Sequence, residues 1–217
     1  MKKESQRSLL LAICMLVAFL LWTVAIRFVD VQAIGPRDSA VGFATINRLV
    51  HTLTGVDMSL YIITDWLGLV PFMFGMGFGI LGLIQWIQRK HLLKVDRSIL
   101  ALGGFYIVVI AVYILFEMFV VNYRPILIGG YLEASYPSST TMLVLCVMPT
   151  TIIQFRARIR NDILKQCVTC MIAAFIVFMV MGRLISGVHW FTDIVGGTLL
   201  STSLVLMYWA VSGLEKM

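Results

Sequence analysis

Six long apolar stretches alternate with shorter polar ones along the 217-residue chain. Each stretch is close to the roughly 20 residues that a helix needs to cross about 30 Å of hydrocarbon. The pattern therefore predicts an all-α, polytopic membrane protein with six transmembrane helices. The predicted spans lie at about 9–26, 61–87, 99–121, 141–155, 163–181 and 191–211.

The first apolar stretch follows Lys2, Lys3 and Arg7, as the core of a secretory signal peptide would. It is longer than a usual signal core, and no small-x-small cleavage pattern closes it before Arg27. We interpret it as the first spanning helix. Residues 1–217 are accordingly expected to form a single integral membrane domain.

The polar segment between the first two spans has a different periodicity. Apolar residues recur at helical spacing over about 36–54, with polar residues between them. This pattern predicts an amphipathic helix that lies on the outer membrane surface and borders a route for lipids.

Composition agrees with a membrane protein, since 60% of the residues are hydrophobic and 13% are charged. A net charge of +6 in a soluble protein would suggest nucleic acid, but here the basic residues gather in alternate loops. Short cytoplasmic loops carry such an excess of Lys and Arg. We expect the lipid bilayer and its anionic headgroups as partners, and no nucleic acid.

The same basic residues set the predicted orientation of a multi-pass protein of the cell membrane. Under a six-helix topology they share one side, which is cytoplasmic by the positive-inside rule. Both termini are then cytoplasmic, and several polar residues from separate segments fall together at the extracytoplasmic face. These residues are Arg124, Ser138, Arg183, His189 and Asp193.

Chemistry concentrates around the start of the last helix. His189 and Asp193 stand four residues apart, so they share a helical face, and the carboxylate can hold one imidazole nitrogen while the other acts as a nucleophile. Arg183 precedes them and Arg124 follows the third span. Two guanidinium groups suit a phosphoryl group. An Arg183–Asp193 ion pair with His189 as an interface anchor is the structural alternative, but the joint spacing favours chemistry.

Further anion donors are predicted at the start of the fourth span, where backbone N–H groups near Ser138 and Ser139 open a helix. A metal site is not expected, because Cys167-x-x-Cys170 stands without a second pair or a nearby His. We interpret both cysteines as membrane-helix residues. No cofactor is predicted.

The order and spacing of these residues resemble the type-2 phosphatidic acid phosphatase (PAP2) superfamily, whose motifs are K-x6-R-P, P-S-G-H and S-R-x5-H-x3-D. The resemblance extends over at least residues 117–193 and implies a PAP2-like bundle of six helices without a metal. It implies transient phosphorylation of His189, oriented by Asp193, with phosphate held by Arg124, Arg183 and Ser138.

The chain departs from the family motifs at four positions. Glu117 stands in place of the Lys, Ser139 in place of the Gly, Thr140 in place of the His that protonates the leaving group, and Gly182 in place of the Ser. Glu117 is expected either to pair with one of the arginines, weakening their hold on phosphate, or to stay protonated in apolar surroundings and serve as the acid.

The replacement of the family's proton-donating His by Thr140 affects which substrates are expected. A lipid alkoxide leaves poorly without protonation, which is worth about 10²–10⁴ in rate, whereas phosphate leaves readily from a diphosphate. Thr140 is alternatively expected to position a water that donates the proton. We predict a lipid phosphatase that favours a polyprenyl diphosphate. A non-hydrolytic lipid-phosphate-binding accessory protein and a lipid phosphotransferase are the alternatives.

Overall fold

A computed structural model of the chain describes residues 3–212. Within that range the fold is a bundle of α-helices with one minimal hairpin of strands. The helices are α1 Lys3–Phe28, α2 Ala44–Thr54, α3 Met58–Leu67, α4 Leu69–Arg89, α5 Arg97–Met118, α6 Ser139–Arg158, α7 Asp162–Ile185 and α8 Phe191–Ser212.

The described residues contain six helical segments long and apolar enough to cross a membrane, which confirms the predicted number of spans. The second of them is made of α3 and α4 together, because the helix is interrupted at Gly68. The Gly68 N–H donates to the carbonyls of Thr64 and Asp65, at 3.1 and 3.0 Å. The interruption makes α3 a separate short helix, which packs against α7.

Helix α8 lies at the centre of the bundle, where it packs along α1, α5 and α6. Small residues such as Gly196, Gly197 and Ser203 allow neighbouring helices to approach it closely. The Ser203 hydroxyl donates to the Ala12 carbonyl of α1 at 2.8 Å. Because the outward faces of the other spans carry exposed Leu, Ile, Met and Phe side chains, the bundle presents an apolar surface to lipid.

Between α1 and α2 the chain forms a hairpin of β1 (Gln32–Ala33) and β2 (Ala40–Val41), with Gln32 opposite Val41. The predicted amphipathic helix over 36–54 is therefore shorter than expected, and its first part is hairpin and turn. The buried side chain of Asn47 fixes α2 in place. It donates to the Gly42 carbonyl and to Thr192 Oγ1, and it accepts from the Thr192 N–H. Helix α2 is thus anchored to the first turn of α8.

The loop from 119 to 138 joins α5 to α6 and folds back on itself. The Ser135 N–H donates to the Asn122 carbonyl at 2.9 Å, and Tyr123 and Ala134 form an antiparallel bridge. Tyr136 anchors the loop, because its hydroxyl lies 2.7 Å from Thr23 Oγ1 of α1 and its ring lies against Gly196 of α8. A Cβ at Gly196 would lie 2.3 Å from that ring, so a larger residue would displace the loop.

Candidate active site

Three parts of the chain meet at one end of the bundle: the α7–α8 junction, the loop before α6, and α3. Arg124 and Arg183 both approach the ring of Tyr61, and both influence His189 electrostatically. The Ser138 N–H donates to the Asp193 carbonyl at 3.2 Å. The residues singled out from the sequence are therefore neighbours in space.

The carboxylate of Asp193 is completely buried and fully engaged by neighbouring donors. Its Oδ2 accepts from the Trp190 N–H at 2.8 Å and from the Ser135 hydroxyl. Its Oδ1 accepts from Asn122 Nδ2 at 3.5 Å. Because Asp193 reaches back to the N–H that precedes α8, it also caps that helix. These bonds fix the direction of the carboxylate.

Asp193 and the imidazole are direct neighbours within ion-pair distance, and Ser135 lies closer still to the same ring nitrogen. His189 Nδ1 lies 3.8 Å from Asp193 Oδ2 but 3.1 Å from Ser135 Oγ. The Ser135 hydroxyl donates to the carboxylate, so it accepts from Nδ1–H. Ser135 was missed by sequence analysis, because no motif contains it and only the folded loop brings it to His189.

This chain of hydrogen bonds assigns the proton of the neutral imidazole to Nδ1 and leaves the lone pair on Nε2. His189 Nε2 is buried and has no hydrogen-bond partner among residues 3–212. Burial lowers the pKa of His189 from 6.5 to about 4, Asp193 opposes this shift, and the two arginines add to it. At neutral pH the ring is therefore uncharged and able to act as a nucleophile.

The loop that carries His189 is held against the start of α3. The Asp57 N–H donates to the Ser186 carbonyl at 3.1 Å. Gly187 has a φ of +66° and lies so close to Gly55 that a Cβ would be 1.8 Å from its carbonyl oxygen. Only glycine fits there. The α2–α3 junction thus determines where His189 sits.

Arg183 lies in the last turn of α7, and its guanidinium group is almost completely buried, with 1% exposed. Its Nη1 lies 3.6 Å from Asp65 Oδ1 and donates to Thr64 Oγ1 at 3.4 Å. Both partners belong to α3. The alternative of an Arg183–Asp193 ion pair is wrong, since the partner carboxylate is Asp65.

Arg124 is also buried and has its own carboxylate. Its Nε lies 3.1 Å from Glu133 Oε2, a separation that makes an ion pair although the angle is not that of a hydrogen bond. The backbone N–H of Arg124 donates to the Glu133 carbonyl at 3.1 Å. The fold of the loop therefore holds this arginine from both its backbone and its side chain.

Several buried polar atoms of these residues have no hydrogen-bond partner within the described range. Unpaired buried polar groups are rare and costly, so a cluster of them indicates a site for a ligand. All but one can donate a proton, which is the chemistry that binds an oxyanion. These atoms are Arg124 Nε and Nη1, Arg183 Nε, Ser138 Oγ and His189 Nε2.

The two serines at the start of α6 differ in their surroundings. Ser138 precedes the helix without capping it through its side chain, and its N–H is used by the Asp193 carbonyl. The backbone donor expected at Ser138 is therefore occupied, and its hydroxyl is the group that remains. Ser139, the first residue of α6, lines a small cavity together with His189.

Glu117 pairs with neither arginine, which corrects one of its two predicted roles. In the described part of the chain no ion pair within 4.0 Å joins it to Arg124 or Arg183, whose partners are Glu133 and Asp65. Glu117 lies in the last turn of α5, exposed, and it lines the same small cavity as His189. Glu117 thus lines the cavity of His189 and interacts with Tyr113 without pairing with either arginine.

Thr140 lies in the first turn of α6, half-buried and beside Gly68 at the α3–α4 interruption. It lines a cavity of about 420 Å³ whose other lining residues are mostly apolar, such as Phe72 and Val109, and include Asp65 and Ser139. A hydroxyl at this position is not an acid of useful strength. The family's proton donor thus has no counterpart at position 140.

Gly182 has a local explanation in α3. A Cβ at Gly182 would lie 2.7 Å from Thr64 Cγ2, which is closer than side-chain carbons approach one another. Thr64 is fully buried, and its hydroxyl accepts from Arg183. The absence of a side chain at position 182 therefore makes room for a threonine that contacts the arginine.

This packing predicts that Gly182→Ser destabilises the protein by about 1–3 kcal/mol, the usual cost of overpacking. Thr64→Ala should recover much of that loss in the double variant, because it removes the methyl group that clashes. Thermal unfolding of the four proteins in detergent measures this coupling. Additive losses from the two substitutions would contradict it.

The depressed pKa of His189 predicts a pH-dependent stability. The unfolded chain takes up the proton below about pH 6.5 while the folded protein resists it down to about pH 4. Stability is thus complete above 6.5 and falls as pH drops toward 4, by up to about 2 kcal/mol between pH 7 and pH 5. The free energy of unfolding, measured with denaturant, should depend less on pH in His189→Gln than in the native protein. His91→Gln changes a histidine in an exposed turn and should keep the native pH dependence.

Comparison with known proteins places this geometry in a family. The model of the PAP2 superfamily matches residues 2–216. No curated protein matches the chain.

Among solved structures, the chain is similar to one described as the first transmembrane PAP2 type phosphatidylglycerolphosphate phosphatase, from Bacillus subtilis. The TM-score is 0.61 at 18% sequence identity, over 95% of this chain and 96% of that one. This likeness shows that the two chains share a fold over nearly their whole lengths. With a match over nearly its whole length, the chain belongs to the PAP2 superfamily of membrane proteins.

Proposed function

We propose that the protein is a membrane phosphatase that hydrolyses a lipid phosphate or diphosphate through a phosphohistidine at His189. The observation that carries this proposal is the unpartnered Nε2 of a buried, neutral imidazole beside the unpartnered N–H groups of two arginines. Nucleophile and anion donors are both required for phosphoryl transfer, and both are present here.

In the proposed first step, the Nε2 lone pair forms a bond to phosphorus while the bond from phosphorus to the leaving oxygen breaks. Arg124, Arg183 and the Ser138 hydroxyl bind the equatorial oxygens, where charge accumulates. The imidazole becomes positively charged, and Asp193 stabilises it through Ser135. Water then attacks the phosphohistidine, which releases phosphate and restores the neutral ring.

The substrate we favour is a polyprenyl diphosphate. Its leaving group is the polyprenyl monophosphate, which departs readily without a general acid. Thr140 cannot supply such an acid. The cavity beside Thr140 is lined mostly by apolar side chains together with Asp65 and Ser139, a composition that suits a lipid near its phosphorylated group. The related solved structure is that of a phosphatidylglycerolphosphate phosphatase, so phosphatidylglycerolphosphate is the natural competitor to test.

The second candidate is a lipid-phosphate-binding accessory protein that does not turn over its ligand. The ion pairs of Arg124 with Glu133 and of Arg183 with Asp65 favour it, because each carboxylate offsets part of the charge available to phosphate. Glu117, in place of the family's Lys, lowers the positive charge further. A third candidate, transfer of the phosphoryl group to an acceptor other than water, uses the same first step.

We further propose that both termini are cytoplasmic and that the site opens at the extracytoplasmic face. The clusters of Lys and Arg between α4 and α5 and between α6 and α7 support this orientation, since they lie at the end of the bundle opposite His189. The substrate would then be a lipid of the outer leaflet.

The proposed reaction predicts phosphate release from polyprenyl diphosphate that exceeds release from phosphatidate or phosphatidylglycerolphosphate by at least about 10²-fold in kcat/KM. Purified protein in detergent should lose this activity in His189→Gln and keep it in His91→Gln. Rapid denaturation of the native reaction at alkaline pH should trap phosphate on His189, because the N–P bond of phosphohistidine is labile in acid and stable in base.

Each other outcome selects a different candidate. Lipid binding without release by the native chain would favour the accessory protein, and a phosphorylated product that requires an added alcohol would favour the transferase. Equal release by the native chain and His189→Gln would contradict the phosphohistidine mechanism.

The proposed orientation predicts opposite labelling of two exposed positions by a membrane-impermeant maleimide. Thr52→Cys, on α2, should react in intact cells, and Lys90→Cys, at the turn after α4, should react only after the membrane is permeabilised. The native chain, whose exposed cysteines lie within the candidate spans, measures the background labelling by the maleimide. The reverse pattern would place the site in the cytoplasm.

A further inference from the structure

Tyr61, in the first turn of α3, is a side chain shared by both arginines of the site. The guanidinium carbon of Arg183 lies 4.8 Å from the centre of its ring, and that of Arg124 lies 5.9 Å from the same centre. The two cations come from different parts of the chain, the end of α7 and the loop after α5. One aromatic ring therefore connects them.

Two buried guanidinium groups that approach one ligand also repel each other, because like charges close together in a medium of low dielectric constant interact strongly. An aromatic face carries negative electrostatic potential and attracts both cations. It does so without adding a formal negative charge that would compete with phosphate. A ring that contacts both arginines thus opposes their separation while leaving their N–H groups available.

The carboxylates of the site cannot perform this role. Asp65 contacts Arg183, and Glu133 contacts Arg124, so each fixes one cation separately. Among the contacts of the described residues, Tyr61 is the partner common to both. Its own position is fixed, because its N–H donates to Asp57, which caps α3 and is bonded to the loop that carries His189.

We propose that Tyr61 is a positioning residue that sets the spacing of Arg124 and Arg183, and thereby the affinity of the site for a tetrahedral oxyanion. The inference rests on the proposed function in taking the two arginines as phosphate ligands. It goes beyond the family motifs, none of which includes a residue of α3.

The test is the binding of orthovanadate and of inorganic phosphate to the detergent-solubilised full chain, measured by titration calorimetry. Tyr61→Leu, which removes the ring, should raise both Kd values about tenfold. Tyr61→Phe, which keeps the ring and removes only the hydroxyl that also interacts with Arg183, should raise both Kd values clearly less than Tyr61→Leu. The matched control is Trp66→Leu, an aromatic residue of the same helix that is 70% exposed and should leave both Kd values unchanged.

A role limited to packing would lower the melting temperature of Tyr61→Leu without a selective change in Kd, so melting is measured for each variant. If Tyr61→Leu does not fold, Tyr61→Met replaces it. In an Arg183→Lys background, Tyr61→Leu should cause a smaller loss of anion affinity than in the native protein, because the cation over the ring has changed. Strictly additive losses would indicate that the ring acts independently of Arg183 and would overturn the proposal.

The two proposals fail in different ways. A native chain that binds orthovanadate but releases no phosphate from any lipid contradicts the hydrolase and leaves the role of Tyr61 intact. Native-like Kd values in a folded Tyr61→Leu, with hydrolysis retained, overturn the positioning role alone. A native chain that binds neither anion contradicts both.

Discussion

The burial of Arg183 is the constraint on which the rest of the site depends. A guanidinium charge removed from water at the end of a membrane-spanning helix requires compensation from close partners. Helix α3 supplies it, with Asp65 as the ion-pair partner, Thr64 as an acceptor and the ring of Tyr61 beneath the cation. The interruption of the second span at Gly68 makes α3 a separate short helix, which packs against α7 beside the site.

The number of spans was predictable because the bilayer imposes a length and an apolar composition on every spanning helix. The contribution of α3 to the candidate site was not, since its polar residues lie inside a stretch that is apolar enough to span the membrane. Similarly, Arg183, His189 and Asp193 were found from their spacing within one segment. Ser135, which joins His189 to the carboxylate, comes from a loop whose path depends on Tyr136 packing against Gly196. Contacts of that kind leave no periodic signal in the sequence.

The departures from the family motifs differ in their structural surroundings. Gly182 is explained by packing, because Thr64 occupies the space of a side chain at that position. Glu117 pairs with neither arginine, because each arginine pairs with another carboxylate. It lines the cavity of His189 instead. Nothing in the structure explains why a glutamate replaces the family's lysine there. Thr140 removes a proton donor from a position that now lies against a largely apolar cavity.

These changes weaken the site on one side of the phosphorus more than on the other. The attacking side keeps a buried imidazole whose pKa is lowered to about 4, a fixed tautomer and a carboxylate held by several donors. The leaving side has lost the group that would protonate an alkoxide. Under the phosphohistidine mechanism that we propose, the nucleophile is phosphorylated readily only when the departing group is stable on its own, so this site would favour such a leaving group. A leaving group that is already a phosphate meets that requirement, and a simple lipid alkoxide does not.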